Sequence, residues 1–86
     1  MPGDKFDFNA ANSLVQAVDA AASTLDVKNG QMAEKFSKLH TGFKDDRYDA
    51  YALDMSAANN AVKDVIDQMR IVAMHVAEYA EKLKHI

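Results

Sequence analysis

Any chemistry in this chain has to come from its histidines, carboxylates, serines and tyrosines, so their spacing is the first test. His75 and Glu78 stand three residues apart, which places them on one face if the segment is helical. Metal centres in helical bundles use the order Glu-x-x-His, backed by further carboxylates that face inward. Here the order is reversed, and Asp19, Asp26 and Glu34 all fall off the apolar seam of their own segment. The pair therefore reads as a solvated surface contact, and no metal site is expected. His40 and His85 have nothing to pair them. Ser13, Ser23, Ser37 and Ser56 lack the base and orienting acid that make a serine nucleophilic. The three glycines are not clustered, so no loop is built to cradle a phosphate. Cysteine is absent, which removes disulfides and thiolate ligands. No catalytic residue and no cofactor are expected: the chain does not read as an enzyme.

The remaining candidates, Tyr48, Tyr51 and Tyr79, are informative for another reason. They belong to a ladder of alternating three- and four-residue steps: Tyr48, Tyr51, Met55, Ala58, Val62, Val65, Met69, Val72, Val76, Tyr79, Leu83 and Ile86. Every position is apolar in a chain that is 49% apolar. Chance gives that roughly once in a thousand, even with a free choice of phase. A second ladder runs Phe8, Ala11, Val15, Val18, Ala22, Leu25, Asn29, Met32, Phe36 and Leu39, broken only by Asn29. Tyrosine and methionine at this spacing are core material first, although Met32, Met55, Met69 and Met74 also suit an adaptable partner surface.

These ladders must sit on two long helices. The expected order is an arm over residues 1–8, helix one over about 9–39, a turn at 40–45 and helix two over about 46–84. Asn9 is the expected N-cap, while Ser13 with Gln16 has the spacing for a start one turn later. Asn29-Gly30 is the weak point, as a turn or as a costly glycine inside a helix. The ladder keeps one phase on both sides of it, which favours a continuous helix. Gly42 suits a helix C-terminus, and Asp45 and Asp46 suit the positive end of helix two. A turn this short makes the helices antiparallel neighbours. The expected fold is all-α, a single helical hairpin domain.

One hairpin of 86 residues leaves apolar surface over. Ala52, Ile66, Ala73 and Ala80, with Asn59 in the same row, form a second stripe on helix two. Leu14, Ala17 and Ala21 lie beside the seam of helix one. These seven apolar residues are the expected contact face of a dimer that closes a four-helix bundle. The formal net charge of −3, without a basic patch interleaved with aromatics, argues against nucleic acid as a partner. The longest uncharged stretch, residues 8–18, carries Asn9, Asn12, Ser13 and Gln16. It falls short of the ~20 mostly apolar residues that span a bilayer. The N-terminus has no apolar core of a cleavable signal peptide.

A long helix, a tight turn with an aromatic and a glycine, and a second long helix resemble the WXG family, the early-secreted-antigen-like substrates of type VII secretion. Its members carry Trp-x-Gly in the turn and an aromatic on the core face of the next helix. Two registers fit. In one, His40-Thr41-Gly42 stands for the triplet and Tyr48 follows eight residues after His40. In the other, Phe43 takes the tryptophan position, Asp45 the glycine position, and Tyr51 follows eight residues after Phe43. The tryptophan is missing, and so is the tail signal Tyr-x-x-x-Asp/Glu, since Leu83 follows Tyr79 at that spacing.

The resemblance implies a protein of a Gram-positive bacterium, made in the cytoplasm and secreted without a cleavable signal peptide. It implies recognition through His40, Gly42, Phe43, Asp45, Tyr48 and Tyr51, and a homodimer or a heterodimer with a related small helical protein. A larger toxin and the secretion ATPase are the further partners it implies. The alternative reading is an intracellular adaptor, chaperone-like or antitoxin module that needs only its helical surface.

Overall fold

The computed structural model describes residues 5–39 and 46–86. It contains two helices, α1 (Phe8–Leu39) and α2 (Asp46–Lys84). They pack as an antiparallel hairpin: Phe36 near the end of α1 stacks on Tyr48 near the start of α2, and Phe6 before α1 meets Tyr79 near the end of α2. The molecule is a rod of 64 × 19 × 16 Å. Its radius of gyration is 19.5 Å, where a compact globule of this length would have about 12 Å.

α1 begins one residue earlier than the sequence suggested, and its cap is Asp7, not Asn9. The Asp7 carbonyl accepts the first helical hydrogen bond from Ala11 N at 2.9 Å, and its Oδ1 accepts from Ala10 N at 2.9 Å. A start at Ser13 is thereby excluded. Asp7 takes the role because Phe6, just outside the helix, is half-buried against Phe8 and Tyr79, at ring-centroid distances of 5.0 and 5.4 Å. The last residues of the expected arm are thus docked; residues 1–4 lie outside the described residues. α1 then runs unbroken through Asn29-Gly30. At the other end, acidic Asp46 and Asp49 sit in the first turn of α2 and Lys82 and Lys84 in its last, both favourable to the helix dipole.

The seam corrects the expected phase of α2. Its buried and half-buried residues are Tyr48, Ala52, Met55, Asn59, Val62, Ile66, Met69, Ala73, Val76, Ala80 and Leu83. Half of the all-apolar ladder is there, but the column Tyr51, Ala58, Val65, Val72, Tyr79 and Ile86 is exposed. Its place is taken by the stripe expected to face a second chain. Ala52, Ile66, Ala73 and Ala80 therefore lie in the hairpin's own seam, with Ile66 2% and Ala73 3% exposed. On α1 the expected phase is the observed one, centred on Ala11, Ala22 and Asn29.

Asn29 explains the rotation. A buried side-chain amide without a partner costs about 1–3 kcal/mol. In the all-apolar phase Asn29 would face Ala58 and Val62. Turning α2 by about 50°, one column of the heptad, brings Asn59 opposite instead. Asn29 Nδ2 then donates to the Asn59 carbonyl at 3.1 Å. Asn59 Nδ2 donates to the Asn29 carbonyl at 3.2 Å and to Asn29 Oδ1 at 2.6 Å. Among the described residues no buried side-chain nitrogen or oxygen lacks a partner. The same turn places small alanines in the seam, so the helices approach closely, and leaves Ile66 as the one bulky residue in the buried core of the described residues.

Candidate interaction surface

The seam divides the rod into two long faces. Its central columns are Phe8, Val15, Ala22, Asn29 and Phe36 on α1, and Ala52, Asn59, Ile66, Ala73 and Ala80 on α2. In an antiparallel pair, the residues immediately before these on both helices fall on one face. Those flanking the seam on its other side fall on the opposite face. Asp26 and Arg70 belong to the latter set and meet there at 3.9 Å, which fixes the geometry.

The Asp26 face is polar and grooved. Toward the turn a groove of about 510 Å³ runs past Asp26, Gly30, Ser37, Ser56, Asn60 and Lys63. Toward the chain ends a second, of about 390 Å³, lies between Asn12, Val15, Ala77 and Lys84. Lys84 Nζ stands 6.0 Å from the centroid of the Phe8 ring, a weak cation–π contact at the rod's end.

The opposite face is apolar. α2 contributes the whole displaced column, with Val65 and Tyr79 each 53% exposed. α1 contributes Leu14 and Ala21, with Leu25 and Met32 leaning toward the same side. Leu14, Ala17 and Ala21, the expected interface residues on α1, are exposed, unlike their α2 counterparts. A shallow depression on α2 between Asp64, Val65, Gln68 and Val72 is floored by Met69. The sequence reading missed this column as free surface because every member is apolar. The signal that could have found it is polar: only one phase of α2 gives Asn29 an amide to bond.

The base of the hairpin holds the motif residues. His40, Gly42, Phe43 and Asp45 lie outside the described residues. Tyr48 is half-buried, its ring 5.0 Å from that of Phe36 with the planes 19° apart. Tyr51, a turn further on, projects on the apolar face. The stack is a product of the local sequence: both residues are seam positions at the same level of antiparallel helices.

His75 and Glu78 are both exposed, and among the described residues no three of His, Asp and Glu gather as a metal site would require. His85 Nε2 pairs instead with Glu81 Oε2, one turn earlier, at 2.8 Å. No described helix is long and apolar enough to cross a membrane. No family model, curated protein or solved structure matches this chain.

Proposed function

We propose that this protein acts by recognition, as a small secreted substrate or co-secreted targeting partner of a type VII secretion system. The observation that carries the reading is a hairpin that leaves a continuous apolar column exposed along its second helix while its own core holds a single bulky residue. A rod of this kind is built to bind another helical protein. The resemblance of the turn to the WXG pattern supplies the biological setting, and the Phe36–Tyr48 stack gives the base of the hairpin a fixed aromatic platform from which the turn residues would be presented.

The test is export. The chain, expressed in a type VII-competent Gram-positive host, should accumulate in the culture supernatant without lysis and should stay in the cells when the secretion ATPase is deleted. Replacing Gly42, Phe43 and Tyr48 together by alanine should abolish export while the cytoplasmic level is maintained. Undiminished export of the triple variant, or secretion indifferent to the ATPase, overturns the reading. Retention of the wild-type chain in the cytoplasm would favour the adaptor.

A further inference from the structure

The apolar face has a definite occupant. We propose that it is covered by a second copy of this chain, lying parallel to the first with the two-fold axis along the rod, so that α1 of each copy packs on α2 of the other. This is independent of whether the protein is exported.

Area is the first argument. The chain exposes 6537 Å², where a compact monomer of 9.5 kDa exposes about 5000 Å². The excess, about 1500 Å² per chain, is of the size that an obligate dimer removes from each subunit. The polar face, with its Asp26–Arg70 pair and grooves lined by Asn, Ser and Lys, is not the surface to bury. The apolar face is, and its relief is complementary: small Ala21 on α1 is level with bulky Val65 on α2.

Charge is the second. The carboxylates at the edges of this face are Asp7 on α1 and Asp54 on α2; its cations are Lys28 and Lys35 on α1 and Lys82 on α2. Asn29 is level with Asn59, and the helices are antiparallel. Lys35 is therefore level with Leu53, beside Asp54, and Asp7 is level with Glu81, beside Lys82. Within one chain Lys35 and Asp54 stand on different helices and do not meet, and the same holds for Asp7 and Lys82. None of these four forms an ion pair among the described residues. In the parallel two-fold arrangement Lys35 of each copy faces Asp54 of the other, and Lys82 of each faces Asp7 of the other. Both carboxylates of the face find a cation. Lys28 comes to lie over Ala58 and Ala61, whose small side chains leave room for its stem to extend to water.

Sedimentation equilibrium of the purified full chain, with far-ultraviolet circular dichroism on the same samples, tests this. The expected result is a helical dimer at micromolar concentration. Val65→Asp with Val72→Asp should weaken association at least about 100-fold, as expected when charges are buried unpaired in an interface. Ser56→Asp, on the polar face, should leave it unchanged. Because the double aspartate variant can lose its fold along with its partner, the charge swap is the deciding arm. Lys35→Glu should weaken the dimer by about tenfold, since two like-charge contacts replace two pairs, and adding Asp54→Lys should restore it. A monomer at all concentrations up to about 0.1 mM overturns the proposal and assigns the face to a different chain. So does a dimer that tolerates the valine changes, or a swap that restores nothing.

Discussion

The two long faces of this hairpin are made by the same two helices and the same heptad rhythm, yet they end in opposite chemistry. On one, the residues flanking the seam include Asp26, Ser56, Lys63 and Arg70, and the surface is closed to further packing by its own charges. On the other, the flanking residues of α2 are apolar without exception along its length. The difference teaches that a heptad ladder on a helix need not be the seam that helix makes with its neighbour in the chain. Here the most hydrophobic column was turned outward, and a column containing Asn59 was turned in.

The sharpest way to break that comparison is to substitute two consecutive residues that point to the two sides of the assignment. Ile66→Ala removes the one bulky residue of the buried core and should cost about 2–5 kcal/mol. Val65→Ala removes a side chain already half in water. In guanidinium titrations at one fixed protein concentration, Ile66→Ala should shift the midpoint far more than Val65→Ala. Equal shifts would mean that the all-apolar column is the true seam and that the phase described here is wrong.

The Asn29–Asn59 pair is the next lever, because it sets the phase. Replacing either alone by alanine leaves the other's amide buried without a side-chain partner and should cost about 1–3 kcal/mol. Replacing both by leucine should recover or exceed the wild-type stability, but it removes the device that tells the helices which columns to bring together. The double variant should therefore be stable and heterogeneous, with broadened amide resonances in a nitrogen–proton correlation spectrum. A double variant that stays sharp and singly folded would show that alanine packing alone fixes the phase.

How far the sequence could be read follows from this pair. The hairpin and the phase of α1 were legible, because long apolar periodicity survives any local ambiguity. The phase of α2 was not, since two adjacent columns are both nearly all apolar and a count of apolar residues favours the wrong one. Asn29, taken alone, looks like a defect in the α1 ladder; only its reciprocal bonds to Asn59 reveal it as the reference point for both helices. The dimer-facing residues on α2 were misplaced by the same error, whereas Leu14, Ala17 and Ala21 on α1, whose phase was right, are exposed. The N-cap shifted from Asn9 to Asp7 for a different reason: Phe6 gains an aromatic partner on α2, a tertiary contact that capping rules do not contain.

Gly30 sits beside Asn29 but points to the grooved face, and a Cβ there would have nothing within 4 Å. It is an ordinary helical residue with no steric need for glycine. Gly30→Ala should therefore stabilise α1 by about 1 kcal/mol, raising the melting temperature by about 4 °C or more at fixed protein concentration. A drop instead would mean that the groove closes over this position in solution.

The smallest effect belongs to the feature that looks most like a designed contact on that same face. Arg70 and Asp26 are both about half exposed, and their atoms stand 3.9 Å apart, at the outer limit of an ion pair. A pair so wet should contribute at most about 1 kcal/mol, and less as salt screens it. Arg70→Gln should leave the midpoint nearly unchanged at physiological ionic strength. If it destabilised the chain as much as the loss of Asn29, the polar face would be holding the helices together, and the contrast between the two faces would fail. The nearly silent outcome is expected because charges here keep a face in water, while the seam is set by an amide pair and one isoleucine.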